Sequence, residues 1–261
     1  MNSARVFFYG GATSFRALFG WLSPWIYIPS LLVAPVFQIL LFAYIGRQTN
    51  TNSDEFYVIG NALQYTAIPC IFAMGHTIEG ERWQQTLGYV LVTPAKRVPL
   101  FLGRSLPVIA NGALASAFAL IVGGLILGIS IPASAVPSIA LVIVITSAAC
   151  TGLGLTIAAI GFLVRETATL NNIVFGLLLV FCGVNVRLED LPGWMSTIAQ
   201  GLPLTHGIEA ARRLAGGASF SEVAGLVAAE AAIGATYALL GYGLIRALEG
   251  LSRRRGTLER A

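Results

Sequence analysis

Residues 105–164 read SLPVIANGALASAFALIVGGLILGISIPASAVPSIALVIVITSAACTGLGLTIAAIGFLV, 60 positions without a single Asp, Glu, Lys or Arg between Arg104 and Arg165. As one helix this run would be about 90 Å long, three times the roughly 30 Å hydrocarbon core of a bilayer. It must fold back on itself. Gly128-Ile129-Ser130-Ile131-Pro132, with Pro137 just beyond, supplies the corner. Two membrane-crossing helices follow, near Leu106 to Ile129 and Val136 to Leu163.

The same reading extends outward along the chain. Charge-free windows of 30 residues separate Arg16 from Arg47, 23 separate Glu55 from Glu79, and 20 separate Glu166 from Arg187; another 23 lie between Glu222 and Arg246, with Glu230 alone inside. A span takes roughly 20 apolar residues, so the remaining spans fall near Trp25 to Ile45, Phe56 to Ile78, Ala168 to Val186 and Val223 to Ile245. The predicted fold is an all-α membrane protein of six transmembrane helices. Composition agrees: of 261 residues 56% are hydrophobic and 11% charged, less than half the roughly 25% charge of a globular domain. A soluble enzyme, a disordered chain and a secreted disulfide scaffold are excluded. The net charge of +4 has no water-facing domain on which to gather, so no nucleic-acid partner is expected.

With both termini inside, the inner side carries Arg5, Arg16, Arg82, Lys96, Arg97, Arg104, Arg165, Arg246, Arg253, Arg254, Arg255 and Arg260, and the outer side Arg47, Arg187, Arg212 and Arg213. That asymmetry satisfies the positive-inside rule. Phe8, Phe15, Leu18, Phe19 and Leu22 recur at helical spacing between Arg5 and Arg16, which predicts an interfacial amphipathic helix over residues 1–22. Residues 23–250 form the transmembrane domain and residues 251–261 a basic cytoplasmic tail. Cys70, Cys150 and Cys182 fall inside spans without a CxxC and read as small apolar core residues.

Catalytic chemistry is missing. The one lysine, Lys96, follows a stretch, Val90 to Ala95, with no glycine, so no phosphate-cradling loop can be built. His76 and His206 stand apart from any acidic cluster of metal-ligand spacing, so neither a metal site nor a bound cofactor is expected, and no residue is assigned a catalytic role.

Two stretches are more polar than a tight turn requires. In Glu79-Gly80-Glu81-Arg82-Trp83-Gln84-Gln85-Thr86-Leu87, Glu79 and Arg82 stand at i, i+3 and Trp83 and Leu87 at i, i+4, so a short helix here is charged on one side and apolar on the other. Pro94 stops it. It reads either as an interfacial connector with its Trp in the headgroups or as a docking element for a soluble partner. After the fifth span, Leu191, Trp194, Met195, Ile198 and Leu202 repeat with helical period between Pro192 and Pro203. That spacing predicts a short re-entrant helix in the outer leaflet, packed against the spans, with a surface amphipathic helix as the other reading.

Six spans with an amphipathic start, the Glu-x-Glu-Arg-x-x-x-Thr-Leu-x-x-x-x-x-Thr-Pro segment at Glu79 to Pro94, and the Leu-Pro-x-Trp-Met…Leu-Pro-Leu-Thr-His-Gly-Ile-Glu-Ala-Ala-Arg run at Leu191 to Arg212 together resemble the permease subunit of an ABC-2 type exporter. The likeness is strongest to the short permeases of bacterial drug and lipo-oligosaccharide exporters. Where many members have Gly-Thr-Leu-Glu, this chain has Gln85-Thr86-Leu87-Gly88. The resemblance implies a dimer with an identical or related permease, two separate ATPase subunits holding ATP and magnesium, and a bacterial plasma (inner) membrane location. It makes Glu79, Glu81, Arg82, Trp83, Gln84, Gln85, Thr86 and Leu87 the coupling helix, and Leu191, Trp194, Met195, Ile198 and Leu202 the outer gate. Such a chain makes and breaks no covalent bond.

The cargo expected from lightly charged spans is a lipophilic drug, a lipid or a lipid-linked glycan. Its path would be lined by apolar surface with a few amides: Gln38, Asn61, Gln64 and Asn172 lie at suitable depth, although such amides also bridge helices. Glu230 sits about 6 Å from the centre of its window, where an ionised carboxylate needs a partner. Two other classes compete. An ion-gradient-driven secondary transporter wants an inverted repeat with paired broken helices, and only one half has a re-entrant run. A non-transporting scaffold leaves the coupling segment without a purpose.

Overall fold

The computed structural model describes residues 9–11, 13, 25, 29, 33–86, 97–161, 163–164 and 166–255. The expected amphipathic helix over residues 1–22 and most of the first half of the first span lie outside them, as do Leu87 and the end of the basic tail. Among the described residues every regular element is a helix. In chain order these are α1 (Ala34–Thr49), α2 (Asp54–Gln64), α3 (Ala67–Gly75), α4 (Thr77–Trp83), α5 (Arg97–Leu127), α6 (Val136–Ile160), α7 (Thr167–Phe181), α8 (Gly193–Ala199), α9 (Thr205–Ala215) and α10 (Phe220–Arg255), with a 3-10 turn at Leu188–Asp190 between α7 and α8.

Four stretches are long and apolar enough to cross a membrane: Asp54–Gly75, Gly103–Leu127, Val136–Ile160 and Phe220–Leu248. The chain is therefore a multi-pass membrane protein. The corner expected in the 60-residue run is present. Gly128 ends α5 with φ +71, a left-handed cap that costs glycine nothing, and Pro137 sits in the first turn of α6, where a missing N–H is harmless. At the same end of the bundle, where Leu127 packs on Ala43, Phe56 and Tyr57, Asn50 turns the chain at φ 50, and Arg47 pairs with Asp54 at 2.5 Å to close the hairpin of α1 and α2.

Several boundaries differ from the sequence reading: α5 already begins at Arg97 and not Leu106, and the helix expected to carry Trp83 and Leu87 on one face and to stop at Pro94 ends at Trp83, with Gln85 at φ 56. The expected second span is two helices, α2 and α3, parted at Tyr65 and Thr66, because Pro69 has no N–H to give the Tyr65 carbonyl and its ring crowds that turn. The expected fifth span stops at Phe181 and not Val186. Gly183 takes φ +72 and residues 182–186 are bends, which leaves α7 with 15 residues, about 22 Å long. The start of the predicted tail is still helix, since α10 runs to Arg255.

The centre of the bundle is α6, which packs along α10, α3, α5 and α9. Close approach to α10 rests on two glycines. A Cβ on Gly152 would lie 2.5 Å from the Gly234 carbonyl oxygen, and one on Gly234 would lie 2.5 Å from the Ala149 Cα, the small-residue packing that membrane helices use where no hydrophobic drive separates them from lipid. Ile59, Leu63, Ile71, Met74 and Leu178 are fully buried around it, while Leu114, Ile121, Leu125, Leu141 and Leu239 face outward, as a lipid-contacting surface requires. The three cysteines are free and buried.

Candidate functional site

At one end of the bundle, α4 follows α3 after a single turn residue, His76. Its two acids face the rest of the bundle. Glu79 is 9% exposed; its carboxylate accepts the Thr167 N–H at 3.0 Å and the Thr167 hydroxyl, and meets the His76 Nδ1 at 2.9 Å. Glu166, the residue at the N-cap of α7, makes no side-chain cap, so Glu79 supplies from another helix the acceptor that the first orphan N–H of α7 needs. Burial works to raise the Glu79 pKa, but the hydrogen bonds from Thr167 and His76 outweigh it and hold the carboxyl below its ordinary value. Glu81 accepts from Arg104 on α5 and from the Thr86 hydroxyl. One acid thus ties α4 to α7 and the other ties it to α5.

The opposite side of the segment is open. Trp83 is 79% exposed, and Gln84 and Gln85 are exposed with it. Gln85 ends the helix at φ 56, so the two amides and the indole project from a fixed turn. Of the eight residues expected to couple, Glu79 and Glu81 anchor, Thr86 braces Glu81, and Trp83, Gln84 and Gln85 form the free surface. The side chain of Arg82 and the whole of Leu87 lie outside the described residues.

Within the bundle, three of the four expected path amides meet. The Gln38 Nε2 donates to the Asn61 Oδ1 at 2.9 Å and to the Gln64 Oε1 at 2.7 Å, and the Asn61 Nδ2 donates to the Tyr57 carbonyl at 2.9 Å and the Asn185 Oδ1 at 2.8 Å. Asn61 and Gln64 are fully buried. These amides bridge α1, α2 and the bend after α7, so in this conformation their polar atoms face one another and not an open path. Asn172 is elsewhere, exposed on α7 and bonded to its own Ala168 carbonyl.

At the other end of the bundle the chain makes a helical hairpin, α8 and α9. The expected packing of the apolar residues of α8 is only partly met. Trp194 is 62% and Ile198 48% exposed, with the Trp194 ring edge-on to Phe181 at 5.9 Å, and Leu191, Met195 and Leu202 are half-buried. Burial falls instead on α9, where Ile208, Ala210, Ala211 and Leu214 are at most 1% exposed.

Two charged residues hold α9. Glu230, on α10 and 1% exposed, accepts the Leu204 N–H at 2.7 Å with one oxygen and the Gly207 N–H at 3.1 Å with the other. A carboxylate at a helix N-terminus is favoured by both the orphan donors and the helix dipole. Leu204 itself takes φ 85 and ψ −37, a left-handed backbone that a β-carbon resists, so the carboxylate pins a strained hinge. Thr205 and His206 then reach back to the last carbonyls of α8, Ala199 at 2.7 Å and Gln200 at 3.1 Å. Arg212 does the rest. Its guanidinium donates to the carbonyls of Gly183 at 2.7 Å, Val184 at 2.9 Å and Phe56 at 3.0 Å, and lies 3.5 Å over the Phe56 ring. One side chain thereby joins α9, α2 and the bend after α7.

The sequence reading used Arg212 only as an outer-side charge and the end of a motif, weighed His76 only as a metal ligand, and passed over Thr167. A basic residue in a helix and a hydroxyl at a helix start were the available signals, but the partners that decide their roles are far off in the chain, Phe56 for Arg212 at 156 residues and Glu79 for Thr167 at 88.

No metal-holding group of three or more His, Cys, Asp or Glu occurs among the described residues. What the arrangement offers is mechanical: an exposed surface on α4 clamped to α5 and α7, and, at the other end of the bundle, a helical hairpin locked to α2 and α10. The family described as ABC-2 type transporter matches the chain over residues 14–214. No curated protein matches it.

Proposed function

Because the chain belongs to the ABC-2 type transporter family and is therefore a membrane permease component and not itself a catalyst, we propose that it exports a lipophilic drug, a lipid or a lipid-linked glycan by alternating access. The energy comes from ATP hydrolysed on two separate ATPase subunits, and a second permease chain completes the path. The proposed setting is a bacterial inner membrane with both termini in the cytoplasm and six spans, α1 and α7 being the described parts of the first and fifth.

The observation that carries this reading is the two-sided build of α4. A connector lying passively in the headgroups would not need both of its acids committed to different helices. With Glu79 on α7 and Glu81 on α5, a push on Trp83 is delivered to two membrane helices at once. A rigid-body shift of a docked ATPase pair then moves α7, and the bend after α7 is held through Arg212 to the outer hairpin. Inner closure and outer opening are joined by a continuous set of contacts.

Trp83→Ala combined with Gln84→Ala tests the docking surface without touching the anchors. A buried Trp hot spot is worth about 2 kcal/mol or more, so ATPase subunits should bind roughly 30-fold more weakly and transport-linked hydrolysis should disappear, while the permease keeps its thermal stability in detergent. Normal ATPase recovery with the purified double variant would remove α4 as the docking element.

A further inference from the structure

The geometry points to a phospholipid site on the flank of the bundle: an acyl chain in the groove between α5 and α10, with an anionic headgroup on Arg246. Both helices pack along α6 but scarcely on one another, so α6 is left as the floor of an open furrow of about 630 Å³. Ile109, Leu155, Ala235 and Leu239 form its apolar walls, and Ser105 and Tyr242 lie at one end.

Length selects the occupant. On α10 the lining runs from Ala231 to Tyr242, about 16 Å of helix, and on α6 it runs from Ile145 to Leu155, about 15 Å. That is half of a roughly 30 Å hydrocarbon core, the depth of one leaflet. A helix of a second protein chain crosses the whole core and is about 10 Å wide, so it cannot seat along a half-depth furrow. A single acyl chain can.

The polar end is where a headgroup belongs. The α10 span covers Phe220–Leu248, and the furrow occupies the part that leads toward Arg246. Because α6 and α10 run parallel, with Gly152 against Gly234 and Ala238 and Gly241 against Thr156, the same end of both helices forms the mouth. Arg246 is exposed and follows Tyr242 by one turn, about 6 Å further along the helix. A tyrosine at the interface and an arginine just beyond it form the pairing that takes a phosphate at headgroup level. The small residues Ala148, Ala235 and Ala238 keep the furrow open. The lipid would fill the space between two helices that both pack along α6, and its binding requires neither ATP nor cargo.

The test is native mass spectrometry of the full-length permease in detergent, titrated with dioleoylphosphatidylglycerol or dioleoylphosphatidylcholine. One retained site per chain is expected, with phosphatidylglycerol favoured about fivefold, the effect of roughly 1 kcal/mol for one basic residue at the surface. Arg246→Gln should bring the two lipids to near equality without lowering the thermal midpoint in lipid-free detergent. Ala235→Trp, at an exposed position, should abolish retention of both, and Ala148→Trp, also exposed, does the same from the α6 side if the first variant fails to fold. Retention unchanged in a folded tryptophan variant overturns the site. A phosphatidylglycerol preference that survives Arg246→Gln overturns the headgroup assignment. Displacement of the lipid by a hydrophobic drug, with no preference between headgroups, would show a drug pocket in its place.

Discussion

Glu230→Gln lowers the stability of the permease by about 3 kcal/mol and frees the outer hairpin, although glutamine has nearly the same size and shape. Both carboxylate oxygens accept backbone N–H groups, from Leu204 and Gly207. Glutamine keeps one acceptor and turns an NH2 toward the other N–H, so a buried donor is left without a partner inside a protein where water cannot substitute. The measurement is the thermal midpoint in detergent, together with leak of a small dye from vesicles containing the variant; a lower midpoint and a higher leak are expected. The strained hinge provides a second check. Leu204→Gly relieves the positive φ at that residue, worth about 1 kcal/mol or more, and should recover part of the loss when combined with Glu230→Gln. A Glu230→Gln permease as stable and as tight as the parent would show that the carboxylate does not hold α9.

Arg212→Ala has the larger effect. It strips a donor from the Gly183, Val184 and Phe56 carbonyls at once and removes the cation stacked on the Phe56 ring. The Phe56 carbonyl keeps its helical partner within α2, but at about 1 to 3 kcal/mol for each buried acceptor left unpaired the Gly183 and Val184 carbonyls alone cost a large part of the stability of a typical domain. The variant should fail to accumulate in the membrane. Arg212→Lys keeps the charge but not the planar fork that reaches three carbonyls, so it should accumulate at a reduced level with a markedly lower thermal midpoint. Parental accumulation of the alanine variant would refute the role of Arg212 as the clasp between α9, α2 and the bend after α7.

What the sequence made legible and what it hid have different physical origins. The corner between α5 and α6 was readable because Gly128 and Pro137 interrupt an otherwise uniform apolar run, and backbone chemistry at those two residues is decided locally. The early end of α7 was not readable. Cys182 to Val186 continues the largely apolar composition of a span, and it is the left-handed φ of Gly183, the bond of Asn185 to Asn61 and the hold of Arg212 on the Gly183 and Val184 carbonyls that draw the chain away from helix. Pro69 announced the break between α2 and α3, but a proline within a membrane helix is compatible with a kinked continuous span, so the residue alone does not separate the cases.

The candidate site divides in the same way. Periodicity identified a short helix beginning near Glu79 and another after Pro192, yet it placed the end of the first too late, at Pro94 and not Trp83, and it says nothing of which face is covered. Trp194 and Ile198 read as anchors because they are apolar and regularly spaced, while the buried helix of the hairpin is the more polar-looking α9, whose His206, Glu209 and Arg213 stand on one side of an otherwise apolar surface. Glu79 read as part of a docking face, and it turns inward because the unpaired N–H of Thr167 draws a carboxylate. Gln38, Asn61 and Gln64 do come together, but a position within a span does not distinguish an amide that lines a path from one that ties helices together.

The central claim is that an ATP-hydrolysing subunit docks on the exposed end of α4. The most direct measurement places a photoactivatable phenylalanine analogue at Trp83 of the full-length chain in its native membrane, irradiates, and asks whether the cross-linked partner is labelled by a photoreactive ATP; the same analogue at Leu239, which faces outward at 72% exposure, serves as the comparison. The account predicts an ATP-labelled adduct from position 83 and none from position 239. Adducts from position 83 made only with lipid, or with a partner that carries no ATP label, would contradict it.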